Sequence, residues 1–303
     1  MNVVVSHWSA NLVALAIYLV AAVAYLIGMS GAATSGRRPG QSRPAVSIGR
    51  AVAFQAGLLL AMLAVVSPLG YWSYHFIWVR NVQDVVLAIA APVLIVLGAP
   101  WRPLARGLGL SGVLNWLRPA GTGSPDDADR GSRQRWQVLP IVSTVAFSAL
   151  WWAWHLPVLF DAPLGNSLLY AVEVASYLGL GIAFWVAVAG ARPLQSREAP
   201  LHRVALLVAA AASGTILGLI RVYSPGLAYP AYLGAGHHVL SVVADQQVGG
   251  AVLWVIPLVP FSILAVALCI RWLSEEESAA TEAGLDRLLK PRKSAWASRP
   301  GLR

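Results

Sequence analysis

A single cysteine and no Cys-x-x-Cys leave this 303-residue chain without thiol–disulfide chemistry of its own, and three methionines add few of the sulfur ligands that cuprous copper favours. Charge is scarce as well: 12% of the residues are Asp, Glu, Lys or Arg against 57% hydrophobic, with a mean hydropathy of +0.64. That balance excludes an ordinary soluble domain and is the balance of a membrane protein. No nucleotide-binding glycine loop and no nucleophile motif is present, so catalysis is the least favoured class. Proline and glycine are not scarce, and several of them fall inside the apolar runs.

Those runs define the fold. A bilayer core of about 30 Å takes about 20 apolar helical residues, and about seven stretches qualify, near residues 8–28, 51–71, 82–99, 137–155, 167–190, 204–220 and 248–272. Unbroken segments such as VALLVAAAASGTILGLI exclude the alternating pattern of a spanning β-barrel. The expected fold is an all-α membrane protein, a bundle of about seven transmembrane helices within residues 1–273. Residues 118–135, rich in Gly, Ser, Pro and both charges, are expected to be a disordered cytoplasmic loop, and residues 274–303 a charged cytoplasmic tail. Gly214 and Gly218 form a G-x-x-x-G pair suited to close packing inside the bundle.

Orientation follows from the arginines. Arg37, Arg38, Arg43 and Arg50 precede the second run, Arg102 to Arg135 separate the third from the fourth, and Arg192, Arg197 and Arg203 precede the sixth. The tail adds Arg287, Lys290, Arg292 and Lys293, whereas the alternate connections hold only Arg80 and Arg221. Basic loops stay cytoplasmic, so the N-terminus is expected outside and the C-terminus in the cytoplasm. The same bias explains the net charge of +9 without a nucleic-acid partner. With no Lys or Arg before it, the first run reads as an uncleaved span rather than a secretory signal.

Polar groups within such helices are costly and mark a functional or pairing site. On the expected topology nearly all of them lie toward the outer side: His75, Arg80, Gln83 and Asp84 around the start of the third span, His155 and Asp161 after the fourth, Glu173 in the fifth, Arg221 ending the sixth, and His237, His238, Asp245, Gln246 and Gln247 leading into the seventh. Arg80 and Asp84 stand four apart, which predicts a direct ion pair. Glu173 then needs another partner, for which Arg221 or a glutamine amide is the candidate. Asp245 is expected to cap its own helix, with the two glutamines bridging to neighbouring helices and Gly249 and Gly250 letting the helix carrying Glu173 or Arg80 approach. An imidazole metal site would draw on His155 with His75, His237 or His238.

Three stretches carry a resemblance. LGAP (Leu97 to Pro100), WHLPVLFDAPLGNSLLYAVEVASYLGLGIAFW (Trp154 to Trp185) and DQQVGGAVLW (Asp245 to Trp254) together resemble the CtaG-type cytochrome c oxidase assembly proteins of bacteria. The resemblance implies a multi-pass protein of the bacterial plasma membrane that serves maturation of a haem–copper oxidase, with oxidase subunits and the lipid bilayer as partners and copper as the candidate ion. Where that family has His-x-x-Gln-His before LGAP, this chain has Arg80, Gln83 and Asp84; where it has His-x-x-Glu-His, this chain has Tyr170, Glu173 and Val174. The replacement reads as a metal or redox site exchanged for an ion pair.

Three classes of function therefore stand side by side. A non-catalytic assembly factor follows from the resemblance. A transporter of a small solute or metal ion would use the intramembrane carboxylates and a broken seventh helix, for which Gly249, Gly250, Pro257 and Pro260 are the sequence signal. A haem-ligating oxidoreductase would need two facing histidines at one depth.

Overall fold

The computed structural model describes residues 7–9, 11–34, 47–110, 112, 128–189, 200–234 and 240–289, and among these every regular element is helical. Six helices are long and apolar enough to cross a membrane, and a bent pair makes up to seven. In chain order they are α1 (Leu12–Thr34) and α2 (Ile48–Val66), then a third span of α4 (Ile77–Val85), a π-helical turn (Val86–Ala90) and α5 (Ala91–Leu97). Short helices α3 (Pro68–Trp72) and α6 (Trp101–Gly107) flank that span. The bent pair is α7 (Ala128–Trp154) with α8 (Pro157–Asp161), and α9 (Ser167–Ala189), α10 (Pro200–Tyr223) and α11 (Val242–Leu289) complete the bundle. Six of the seven apolar runs thus fall in candidate spans, and the fourth falls in the bent pair.

The boundaries differ where the sequence turns polar. The third span begins at Ile77, not near 82, and the seventh at Val242, not near 248, because the intervening charges find partners inside the protein. The expected loop at 118–135 lies outside the described residues as far as 127, and α7 begins at Ala128. The first part of the expected tail is helical: α11 continues without interruption through Pro257 and Pro260 to Leu289, so the break expected in the seventh span for a transporter does not occur. A bend of 73° appears instead after α7, where Pro157 drives Leu156 into an extended conformation with ψ 136°.

The third span is the centre of the bundle. Its apolar window is 72% buried, against 22% for the first, second and seventh, whose outward faces meet lipid. Around it Trp151, Tyr177, Phe184, Trp185 and Phe261 form the main core. Helices α10 and α11 cross so closely at Gly218 and Gly250 that a Cβ on either would stand 2.7 Å from the other's carbonyl oxygen. The G-x-x-x-G residue that makes this contact is Gly218, and the partner helix is within the same chain.

At the opposite end of the third span, Gly98 of LGAP packs against Phe54, where a Cβ would lie 2.5 Å from the Phe54 Cβ. The turn therefore keeps glycine at 98 for space, and the left-handed residue becomes Ala99, at φ 46°. Ala99→Gly is expected to stabilise the protein by about 1 kcal/mol, and Gly98→Ala to lower its melting temperature in detergent. A lower melting temperature for Ala99→Gly would contradict this reading.

Candidate functional site

The polar residues converge at the end of the bundle where α4 begins, α7 bends into α8, and the connection 224–234 crosses. Phe76, the residue that precedes α4, offers no side-chain cap to the exposed amides of the first turn. Asp245 of α11 supplies one from 168 positions away: its Oδ2 accepts from Ile77 N and its Oδ1 from Trp78 N, both at 2.9 Å. The carboxylate caps the third span rather than its own helix, at the positive end of that helix's dipole. The start of α11 is capped by Ser241, whose hydroxyl accepts from Ala244 N at 3.1 Å. Gly249 makes the junction fit, since a Cβ there would meet Asn81 Nδ2 at 2.5 Å.

One turn into α4, Arg80 is fully buried, and its partner is not Asp84. Its Nη2 donates to both carboxylate oxygens of Glu173 on α9, at 2.7 and 2.6 Å. The expected pairing of Arg80 with Asp84 is thereby corrected, as is the assignment of Arg221 or a glutamine to Glu173. A helical spacing of four permits an ion pair but cannot outbid a two-oxygen contact on a facing helix in a buried site. Asp84 faces α7 instead, with its Oδ2 3.9 Å from His155 Nε2. Gln83 donates to Ala64 O and to the Tyr170 hydroxyl, each at 2.7 Å, which ties the third span to α2 and α9. The π-helical turn lies directly after these residues, and such turns recur at functional sites.

Aromatic residues cover the cluster. Phe160 of α8 lies with its ring 5.0 Å from the Arg80 guanidinium and stacks at 3.9 Å on Tyr229. Arg221 Nη2 and the Tyr229 hydroxyl both donate to His155 O, at 2.6 and 3.1 Å, and the Arg221 guanidinium lies 4.8 Å from the Tyr229 ring. Tyr232 donates to Ser73 O at 2.9 Å. Burial pushes the phenols of Tyr229 and Tyr232 well above their ordinary range, so both keep the proton they donate. Gln246 clasps the same segment: its Oε1 accepts from Ala228 N at 2.7 Å and its Nε2 donates to Gly226 O at 3.1 Å. It bridges to this connection, not to a neighbouring helix, while Gln247 is half-buried beside it. Asp161 Oδ2 accepts from Ala231 N at 3.3 Å.

Sequence reasoning thus found the charged members and missed Phe160, Tyr229 and Tyr232. Its only signal for the tyrosines was their spacing of three in LAYPAYLG, which reads equally as an interfacial belt.

Of the candidate metal ligands, the two among the described residues, His75 and His155, have separate surroundings. His75 stacks on Tyr71 at 4.7 Å and its Nδ1 lies 3.1 Å from Tyr71 O, while His155 is enclosed by Trp151 and Phe160. His237 and His238 lie outside the described residues. Among the described residues no three His, Cys, Asp or Glu side chains form a metal-sized group. Cys269 stands about 36 Å along α11 from Asp245 at 1.5 Å per residue. One imidazole and one carboxylate beside a buried guanidinium do not fit copper, which needs more ligands and softer ones. Purified protein loaded with copper and desalted is expected to retain well below one equivalent, a level unchanged by His155→Ala; a stoichiometric ion lost in that variant would contradict the assignment.

The chain is 24% identical over 255 residues to an uncharacterized protein of Mycobacterium leprae, covering 80% of this chain and 37% of that protein. It is likewise 24% identical over 274 residues to uncharacterized proteins of Mycobacterium bovis and Mycobacterium tuberculosis, covering 86% of this chain and 39% of each. The chain therefore spans less than two fifths of the length of these relatives. No solved structure matches it. The profile of the cytochrome c oxidase caa3 assembly factor family matches residues 23–275, which takes in every element of the polar cluster. The chain belongs to the family of cytochrome c oxidase caa3 assembly factors.

Proposed function

We propose that this chain is a non-catalytic factor for maturation of a haem–copper cytochrome c oxidase, acting through the outward-facing polar end of its bundle on an oxidase subunit in the bacterial plasma membrane. The observation that carries this reading is the coincidence of the family match with a pre-organised end of the bundle. There Gln246, Asp161, Tyr229 and Tyr232 tie the connection 224–234 down over a buried ion pair. A surface fixed in this way binds a partner without first losing conformational freedom. Among the described residues nothing arranges a nucleophile or base around an open cavity, and the charges of Arg80 and Glu173 are spent on one another.

The orientation this reading requires is the one the arginines indicate, with the cluster outside and α11 ending in the cytoplasm. A reporter fused after Gly234 is expected to read as outside and one near Ser294 as cytoplasmic; the reverse would place the cluster on the wrong side for this role.

Deletion of the gene is expected to lower cytochrome c oxidase activity in isolated membranes, and the wild-type gene to restore it. Gln246→Leu with Gln247→Leu, which frees Ala228 N and Gly226 O, is expected to insert at normal levels and fail to restore activity. Full oxidase activity in the deletion strain would remove the proposal, and full restoration by the double variant would remove the glutamines from it.

A further inference from the structure

The ion pair of Arg80 with Glu173 leaves several buried polar atoms of the cluster without hydrogen-bond partners among the described residues, including Arg80 Nη1, Asn81 Oδ1 and the Tyr177 hydroxyl, and two of these atoms, on Asp84 and His155, face each other. Asp84 Oδ2 and His155 Nε2 are both buried, neither has a hydrogen-bond partner among the described residues, and they face each other at 3.9 Å. Buried polar atoms without partners are rare enough to require an explanation.

The other nitrogen of the ring decides which explanation holds. His155 Nδ1 lies 2.7 Å from Trp151 O. A carbonyl oxygen only accepts, so Nδ1 carries a hydrogen, and Nε2 of the neutral ring presents a lone pair. If Asp84 were ionised as well, a lone pair would face a carboxylate oxygen across 3.9 Å between two buried side chains. A single proton resolves this: on Asp84 it makes an O–H that donates to Nε2, and on Nε2 it makes an N–H that donates to the carboxylate. Closing the gap to hydrogen-bond length takes a shift of about 1 Å.

Charge balance points the same way. Buried Arg80 is close to the carboxylates of Asp84 and Glu173, while half-buried Arg221 adds a second cation and Asp161 a third carboxylate. The carboxylates outnumber the guanidinium groups, and a proton on the pair reduces the excess. A second proton would set an imidazolium, already close to two guanidinium groups, against a neutral acid. The chamber therefore favours one proton over none or two.

We propose that Asp84 and His155 together hold one proton, which makes this end of the bundle a buried proton-binding site built without a metal ion. The proton bridges the third span to α7, directly above the π-helical turn. The proposal is independent of the role in oxidase maturation and can fail or stand without it.

The test uses the full chain in detergent near neutral pH with two probes. The ring nitrogens of His155 are read by 15N resonance, assigned through the signal lost in His155→Gln. A protonated Asp84 is read by infrared as an acid carbonyl band that Asp84→Asn removes. Should Asp84→Asn fail to insert, the band is identified in the wild-type protein by its isotope shift on labelling with 13C-aspartate. The expected result is an acid band together with a neutral ring protonated at Nδ1. An imidazolium with no acid band equally gives one proton, resting on nitrogen. A neutral ring with no acid band shows no proton, an imidazolium with an acid band shows two, and either result overturns the proposal.

Discussion

Replacing Glu173 with alanine is expected to cost about 3–5 kcal/mol of fold stability, because it removes the only carboxylate among the described residues that hydrogen-bonds the fully buried Arg80 guanidinium. Arg80 is fully enclosed and Glu173 is 2% exposed, so no rearrangement to water is open to either. Removing both charges together behaves differently. Arg80→Met with Glu173→Leu takes away the desolvation cost along with the attraction, and is expected to fall within about 1 kcal/mol of the wild type or above it. Unfolding in detergent–denaturant mixtures measures both. If the single and double variants were equally destabilised, the two side chains would not be acting as a pair. Asp84→Ala, which the spacing of four would have made the severe variant, is expected to be milder than Glu173→Ala.

Asp245→Ala is expected to produce the second large effect. It leaves the amides of Ile77 and Trp78 without acceptors at the buried start of the third span, at about 1–3 kcal/mol for each group. It also removes a negative charge from the positive end of that helix. Asp245→Asn keeps one acceptor oxygen and should retain part of the stability. The distinguishing measurement is amide hydrogen exchange at Ile77 and Trp78, which should accelerate in Asp245→Ala while the middle of α11 stays protected. Faster exchange confined to the first turn of α11 would return Asp245 to the role of capping its own helix.

These two residues also mark how far the sequence could be read. The apolar runs were legible because lipid imposes a length and a composition on each helix separately, and each falls in a candidate span or, for the fourth, in the bent pair. Gly218, Gly249 and Gly250 were legible as close approaches because a missing side chain in a greasy helix has few other uses, but of the last two only Gly249 meets the helix carrying Arg80; Gly250 meets α10, and Gly214 makes no close approach. Partnerships were not legible. Arg80 meets Glu173 across 93 positions, and Asp245 meets Ile77 across 168, whereas inspection of the chain offers only local partners, Asp84 for the first and the α11 amides for the second. The starts of the third and seventh spans were placed several residues late for the same cause. A charge marks the edge of a membrane helix only while it lacks a partner, and here the partners come from other helices. The aromatic cover was illegible because Tyr229 and Tyr232 have the composition of an interface belt and the contacts of a core.

The central claim is that the end of the bundle covered by residues 224–234 is the face that meets the oxidase, and site-specific photo-crosslinking tests it most directly. Leu233 sits on this face and is 64% exposed, while Leu285, 52% exposed, lies far along α11 at the opposite end. A photoreactive residue at Leu233 is expected to capture a cytochrome c oxidase subunit in cells that are assembling the enzyme, and the same probe at Leu285 to capture none. Capture of the oxidase from Leu285 with none from Leu233 would contradict the account.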